Sequence, residues 1–224
     1  GAPASAENLD LLDPLHFVQK ALAPKVAFIT GALEQVLLAN PDLIIWADML
    51  PLADPEPLLN WVKAGGTLVR FAGPRLAAAN PAALRDDPLL PVVLRQGGRQ
   101  LGGAMSWEQP KALEPFALDG PFSGLTLPPD VRVRAQVLAQ PSPDLAARVI
   151  ARLQDGTPLI TRKEAGSGQI VFWHITANTD WSNLPLSGLF LDMLNRLNAA
   201  RGWQDEVPLA AGSVWSPVQI LDGF

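Results

Sequence analysis

The chain has 224 residues, of which 48% are hydrophobic, so it is long and apolar enough to bury one full core. Only 17% of its residues are charged, the net charge is −5, and the lysines and arginines are scattered. Because contact with a phosphate backbone requires a basic stripe, we expect no nucleic-acid partner. Cysteine is absent, which excludes disulfides, thiolate metal sites and a cysteine nucleophile.

Helices and strands alternate in the first part of the chain. Asp13 and Pro14 are typical of a helix start, and a β-branched and aromatic run at 26–30, a continuous apolar run at 43–47 and a largely apolar run at 67–72 predict strands. Stretches with helical spacing separate these runs. Strands that are apolar at successive positions suit a parallel sheet covered on both faces, so this part predicts an α/β half-domain.

The middle of the chain has a different pattern. Residues 73–130 are rich in proline and glycine and show no sustained helical period, which indicates an insertion. Alternating runs then predict an antiparallel meander whose strands are 131–138, 148–153, 158–163 and 169–175. We place this β-rich insertion at about residues 76–165.

The strongest helical signal lies near the end of the chain. It begins near Pro185, and its apolar residues share one face: Leu186, Leu189, Phe190, Met193, Leu194 and Leu197. The sequence therefore predicts a single α/β domain over residues 1–200. Residues 201–224 show no period and are interpreted as a C-terminal extension or linker.

His174 is the first candidate for chemistry, because it opens the polar stretch HITANTDWSNLP directly after an apolar run. Open α/β sheets place ligands and catalytic groups at the carboxyl ends of their strands. A general base needs a group to activate, however, and the chain has no cysteine, no tyrosine and no Gly-x-Ser-x-Gly turn. These residues favour a hydrogen-bonded structural histidine, and we predict no catalytic residue.

Asp180 and Trp181 follow in the same stretch and have two interpretations each. Asp180 could orient an imidazole, but Asp180, Ser182 and Asn183 before a helix favour capping of its backbone N–H groups. Trp181 could stack on a ligand, although a large aromatic at a helix entrance usually packs beneath its loop. Both residues remain candidate ligand contacts beside His174.

The loop that follows the third predicted strand contains Gly73 and Arg75, where a doubly wound protein would hold a nucleophile or a phosphate. It contains neither a nucleophile nor a phosphate-binding motif. Arg75 could bind an anion or lie solvated at the surface, so Gly73 and Arg75 join the candidate pocket. The carboxylates have no histidines at ligand spacing, and we expect no metal and no cofactor.

Three segments carry a resemblance to a known family: LLNWVKAGGTLVRFAGPRLAA, DDPLLPVVLRQGGRQLGGAMSWEQP and GSGQIVFWHITANTDWSNLPLSGLFLDMLNRL. Together they resemble the middle, extracytoplasmic region of large bacterial membrane proteins. Those proteins begin with an aerotolerance-regulator (Bat-type) double-transmembrane module and end in a domain of unknown function. The resemblance covers roughly residues 11–197.

This resemblance implies a flavodoxin-like, class I glutamine amidotransferase-like fold with a mostly parallel sheet and helices on both faces. Amidotransferases of this fold keep a cysteine on the turn after a central strand, where this chain has Phe71-Ala72-Gly73-Pro74. Only His174 matches a partner of that cysteine. Loss of the nucleophile removes covalent catalysis by the family's mechanism.

The resemblance also implies a setting for the domain. The parent protein would lie in the bacterial inner membrane, and the positive-inside rule would place this region in the periplasm. The chain itself contains no apolar run near the about 20 residues that cross a bilayer, and its first ten residues lack the pattern of a signal peptide. We therefore expect an excised soluble domain.

Three functions remain open from the sequence. The first is a non-catalytic interaction or ligand-sensing domain, which binds other domains of the same membrane protein, a protein partner or an unknown small ligand. The second is a hydrolase of altered chemistry, in which His174 and Asp180 activate water within a cleft. The third is a structural spacer, which predicts a large exposed apolar patch.

Overall fold

The computed structural model describes residues 15–22, 28–29, 31–100, 109–199 and 218–221. Its helices are α1 (His16–Leu22), α2 (Leu33–Leu38), α3 (Glu56–Ala64), α4 (Pro74–Ala77), α5 (Pro81–Arg85), α6 (Leu145–Arg148) and α7 (Gly188–Ala199), with a 3-10 turn at Leu184–Leu186 before α7. Its strands are β1 (Phe28–Ile29), β2 (Leu43–Ala47), β3 (Thr67–Phe71), β4 (Leu94–Gln100), β5 (Ala135–Ala139), β6 (Val149–Arg152), β7 (Pro158–Ala165), β8 (Gly168–Trp173) and β9 (Val218–Leu221).

Seven of these strands form one sheet in the order β1-β9-β2-β3-β8-β7-β6. The first five of that order are mutually parallel, whereas β7 and β6 are antiparallel to their neighbours. The prediction of an α/β protein with a mostly parallel sheet is therefore confirmed.

The sheet is covered on both faces, as its continuous apolar strands require. Every residue of β2 is buried. Ile44 and Trp46 pack in one cluster with residues of α2 and α3, whereas Leu43 and Ile45 pack in another with residues of α1 and α7. Alternate side chains of one strand thus contact helices on opposite faces.

The insertion departs from its predicted structure in two ways. Residues 73–130 contain the one-turn helices α4 and α5, which are too short to show a period in the sequence. The predicted meander holds for β6, β7 and β8, but β5 pairs with β4 in a separate antiparallel sheet. The pairing of β5 with the following strand was thus wrong, because alternation gives a strand but not its partner.

β6 is an edge strand of the main sheet, and beyond it the sheet is extended only by isolated β-bridges. Leu113 bridges to Leu153, Lys111 to Val133, and Val133 to Ser182. These bridges connect β6 with the loop that follows β8. The insertion is therefore attached by its backbone to the main sheet, and part of the edge of β6 is covered.

The interpretation of residues 201–224 as an extension or linker needs a correction. Val218–Leu221 forms β9, which lies between β1 and β2 and pairs in parallel with both. A four-residue strand offers too little pattern to be recognised in a region without a period. Residues 201–217 and 222–224 lie outside the described part, as do the predicted helix start at 13–14, part of strand 26–30, and the LGGAMSWE segment at 101–108.

The strand order also bears on the flavodoxin-like expectation. In the flavodoxin order 2-1-3-4-5 the first strand lies inside the sheet. Here β1 is an edge strand of the described sheet, and β9 separates it from β2. The order of the described strands therefore differs from the flavodoxin order that the resemblance implies.

Candidate functional site

Three of the residues of interest lie at the carboxyl edge of the central strands. Asp48, Gly73 and His174 follow shortly after β2, β3 and β8, which are adjacent and parallel. Backbone hydrogen bonds continue across this edge, from Asp48 N to Phe71 O at 3.0 Å and from Ala72 N to Trp173 O at 2.9 Å. This is the edge at which α/β sheets usually bind ligands.

His174 is fully buried at this edge, between the main sheet and the second sheet. Its Nδ1 lies 2.9 Å from the carbonyl oxygen of Val137 in β5. Its Nε2 lies 3.2 Å from the hydroxyl oxygen of Thr161 in β7. Because a carbonyl only accepts, this arrangement assigns the proton to Nδ1 and makes Nε2 the acceptor from Thr161.

The surroundings of His174 keep its ring neutral. Burial away from water lowers the pKa of His174 from 6.5 to about 4, although the hydrogen bond to Val137 favours the charged form and opposes this shift. Phe172 packs edge-on against the ring, with centroids 4.8 Å apart. Both ring nitrogens have partners within the protein, so His174 can neither bind a substrate nor orient a water without a local rearrangement.

Asp180 does not complete a pair with His174. Its side chain is exposed and accepts a hydrogen bond from Asn178 Nδ2 at 3.0 Å, while its backbone N–H donates to Asn178 Oδ1 at 3.1 Å. The ring nitrogens of His174 contact Val137 and Thr161 instead. The two residues proposed to activate water are therefore engaged in separate local networks.

The predicted capping of the last helix is wrong. The Asn183 side chain makes no cap bond to the 3-10 turn, and its amide instead accepts from Arg132 N at 2.6 Å and donates to Asp130 O at 3.0 Å. Ser182 is fully buried and bridges to Val133. The Asn183 side chain and the backbone bridge of Ser182 hold the connection between β8 and α7 against the insertion, a long-range role that helix-start statistics do not reveal.

Trp181 lies within the core under this connection. It is 5% exposed and belongs to the apolar cluster that includes Leu76, Val137 and Phe172. Its carbonyl accepts from Arg134 N at 2.7 Å. In this position Trp181 anchors the loop and offers no ring face to a ligand.

Gly73 and Arg75 meet at Asp48, a residue that the sequence analysis missed at this site. The Asp48 carboxylate accepts from the backbone N–H of Arg75 at 3.1 Å and of Leu76 at 2.9 Å, and so caps α4. A Cβ on Gly73 would lie 2.2 Å from Asp48 Cγ, which explains the glycine. The carboxylate occupies the turn where the resemblance would place a nucleophile, and it opposes anion binding there.

Asp48 also has an unusual backbone, with φ of +51°. Asp and Asn enter this left-handed region more readily than most side chains, and the turn follows a buried strand directly. An aspartate immediately after the apolar run LIIWA is the signal that could have identified this residue.

A second missed feature is the buried ion pair of Arg70 and Asp87. Arg70, the second-to-last residue of β3, is 1% exposed, and its guanidinium donates to Asp87 Oδ2 at 2.8 Å and to the carbonyl oxygens of Leu89 and Met49. The guanidinium carbon also lies 5.0 Å from the ring centroid of Trp46. The pair joins the insertion to the sheet, and an arginine within the strand TLVRF was its sequence signal.

Two surface grooves lie in the insertion, and Asp87 lines the larger one. One has a volume of about 550 Å³ between residues 109–115 and 127–132, and the other has about 700 Å³ between residues 84–93 and 140–148. Neither is lined by Gly73, Arg75, His174, Asp180 or Trp181. Within the described residues no three metal-ligating side chains lie together.

The fold is similar to those of two cytoplasmic proteins from Salmonella typhimurium. One is 16% identical, with a TM-score of 0.59 over 84% of this chain and 85% of that chain. The other, from strain LT2, is 14% identical, with a TM-score of 0.61 over 82% of this chain and 85% of that chain. At these identities the likeness shows the fold alone.

A third similar structure is a β-galactosidase from Bacillus circulans sp. alkalophilus, which is 16% identical with a TM-score of 0.54. The match covers 90% of this chain but only 28% of that enzyme. No family model matches the chain, and no curated protein matches it significantly. In the ranges that the structure describes, no helix is long and apolar enough to cross a membrane.

Proposed function

We propose that this α/β chain is a non-catalytic binding domain, which uses the insertion and the carboxyl edge of its sheet as contact surface. The observation that carries the proposal is the state of His174, which is fully buried with both ring nitrogens bonded within the protein. This is the only residue that matches the amidotransferase machinery in the resemblance. Its role here is to join β7 and the second sheet.

The turn after β3 supports the same conclusion. A nucleophile at that turn would need a helix N-terminus free to stabilise developing negative charge. Here the carboxylate of Asp48 accepts two of the N–H groups of α4 and leaves no room for a side chain at Gly73. This arrangement stabilises the carboxyl edge of the sheet and does not suit a catalytic nucleophile.

The hydrolase alternative is less well supported than a binding role. Activation of water by His174 requires a ring nitrogen open to a cleft and a pKa near the working pH. Both requirements conflict with complete burial and a pKa of about 4. The spacer alternative predicts a large exposed apolar patch, whereas the exposed Leu38 ends α2 and the exposed Leu186 precedes α7, two helices that pack on opposite faces of the sheet.

The same proposal includes a setting and an ancestry. We place the domain on the periplasmic side of a bacterial inner-membrane protein and relate it to class I glutamine amidotransferase-like domains. The support is the sequence resemblance over three segments, together with the parallel order of β2, β3 and β8. An antibody raised against the domain tests the setting: the native protein should sediment with inner membranes and be cleaved by protease in spheroplasts but not in intact cells.

The catalytic side is tested by turnover assays on the purified chain and on its His174→Gln and Asp180→Asn variants. Ammonia release from glutamine and hydrolysis of a p-nitrophenyl ester are measured, and circular dichroism checks that each variant is folded. We expect no turnover above buffer and no difference among the three proteins. A rate that falls by powers of ten in folded His174→Gln would show that the histidine does chemistry.

A further inference from the structure

The smaller groove of the insertion has an unusual lining. Four of its lining residues are prolines, Pro110, Pro115, Pro128 and Pro129, and we call it the proline groove. Lys111 and Arg132 line it as well, and no aspartate or glutamate does, although the whole chain has a net charge of −5. The groove is therefore a local site of positive charge on an acidic protein.

The walls of the proline groove are attached to the rest of the domain. Lys111 and Val133 exchange two backbone hydrogen bonds, of 2.9 Å and 2.8 Å. On the other side of the same segment, Glu114 N donates to Arg152 O at 2.9 Å and Gln154 N donates to Ala112 O at 3.0 Å. Because these bonds connect the groove to β6 and to the segment that precedes β5, the groove is formed before any partner binds.

The charged groups at the groove are also positioned. Arg132 is exposed, and its guanidinium donates to the carbonyl oxygens of Pro129 and Val131 at 2.6 Å and 2.7 Å. Lys111 is half-buried, so its aliphatic stem contributes apolar surface to the wall. The neighbouring acids Glu114 and Asp130 are exposed but do not line the groove.

We infer that the proline groove binds an extended acidic peptide segment of a partner protein. Proline residues lack a backbone N–H and present rigid apolar rings, against which the apolar and proline side chains of an extended peptide pack. Lys111 and Arg132 supply the charges that pair with its carboxylates. The volume of about 550 Å³ lies within the range of pockets that hold a drug-sized ligand, so the groove has room for part of such a peptide.

This inference rests on the proposed binding role and names the chemistry of the partner. The probe is a fluorescein-labelled peptide EDLPELPEDL, and its charge-reversed counterpart KKLPKLPKKL is the matched control. Binding to the whole chain is measured by fluorescence anisotropy at low and at physiological salt. We expect binding of the acidic peptide only, and a weaker affinity at higher salt.

Charge-reversal variants locate the binding. We expect Lys111→Glu and Arg132→Glu each to weaken binding of the acidic peptide about tenfold, whereas Arg196→Glu, an exposed residue of α7, should change it less than about twofold. Thermal unfolding checks that each variant is folded, and Arg132→Gln serves as a second variant if charge reversal perturbs the turn. Pro128→Ala, which keeps the charge, tests the contribution of the walls.

Several outcomes would overturn the inference. Equal binding of the two peptides, or equal effects of Arg196→Glu and Lys111→Glu, would remove the proline groove as the site. Displacement of the peptide by equimolar free glutamate or phosphate would indicate a small-anion site instead. If neither peptide binds and His174→Gln changes no reaction rate, the peptide inference fails but the proposed non-catalytic role stands. If turnover depends on His174, the proposed non-catalytic role itself is wrong.

Discussion

His174 and Val137 are joined by two hydrogen bonds, one from the imidazole and one from the backbone. Nδ1 of His174 donates to the Val137 carbonyl at 2.9 Å, and the Val137 N–H donates to the His174 carbonyl at 3.0 Å. The residue that directly follows β8 is thereby fixed to the second sheet, which lies in the insertion. A histidine in this position contributes to the assembly of the two sheets.

We expect His174→Ala to lower the free energy of unfolding by about 2 to 3 kcal/mol, because it leaves the Val137 carbonyl and the Thr161 hydroxyl buried without their partner. Asp180→Ala should cost less than about 1 kcal/mol, since the Asp180 side chain is exposed. Urea unfolding followed by tryptophan fluorescence measures both. A neutral or stabilising effect of His174→Ala would indicate a residue held for function at a cost to stability.

The stability of the chain should also depend on pH through His174. Its pKa is lowered from 6.5 to about 4 in the native state, so the unfolded chain takes up the proton at a higher pH than the native chain. The contribution of His174 is therefore complete above pH 6.5, is lost as the pH falls from 6.5 to about 4, and is constant below that.

The difference between the wild type and His174→Gln isolates this effect from the titration of other groups. Over the same pH interval we expect the wild type to lose on the order of 3 kcal/mol more than the variant. Unfolding free energies from urea titrations at several pH values give the comparison. Parallel curves for the two proteins would show that His174 titrates near its ordinary pKa.

The parts of the fold that were predicted correctly depend on local pattern. The strand at 43–47 is a continuous apolar run, and the strand at 67–71 is apolar apart from Thr67 and Arg70. Between the predicted strands 158–163 and 169–175, Gly166 has the positive φ, +61°, that a glycine in a hairpin turn permits. The last helix was predicted from a regular apolar spacing over the twelve residues from Leu186 to Leu197, although α7 itself begins later, at Gly188.

The parts that were missed depend on contacts between distant residues. The partners of His174 lie 13 and 37 positions away in the chain, and Arg70 and Asp87 are 17 positions apart. No local period encodes such distances. The position of His174 at a strand end was therefore predictable, whereas its partners, the second sheet and the place of β9 were not.

The cap formed by Asp48 predicts a graded response to substitution. Asp48→Ala removes the acceptor for Arg75 N and Leu76 N and places an alanine at φ of +51°, so we expect a loss of about 2 kcal/mol. Asp48→Asn keeps one acceptor oxygen and tolerates this backbone, and it should cost less than about 1 kcal/mol. Thermal and urea unfolding distinguish the two, and equal losses would contradict the capping role.

Gly73 should be coupled energetically to Asp48. A Cβ at Gly73 would lie 2.2 Å from Asp48 Cγ and 2.5 Å from its Cβ, so Gly73→Ala forces the capping side chain to move and is expected to cost about 1 to 3 kcal/mol. In the Asp48→Gly background the obstructing atoms are gone, and the same substitution should cost much less. A double-mutant cycle measures this difference, and additive losses would show that the clash is relieved elsewhere.

The Arg70–Asp87 pair provides a test of how the insertion is attached. Both side chains are almost completely inaccessible, and Asp87 Oδ1 also accepts from Leu89 N at 2.9 Å. Asp87→Asn keeps an acceptor for Leu89 but leaves the Arg70 guanidinium buried without a counter-charge, for which we expect a loss of about 3 kcal/mol. The exposed neighbour Asp86 is the matched control, and Asp86→Asn should change stability by less than about 0.5 kcal/mol.

Hydrogen exchange shows where Asp87→Asn acts. We expect amides around Leu89 to lose protection before those of the main sheet, because the carbonyl oxygens of Leu89 and Met49 are bonded to the same guanidinium. A uniform loss of protection over the whole chain would instead show that the pair stabilises the sheet itself.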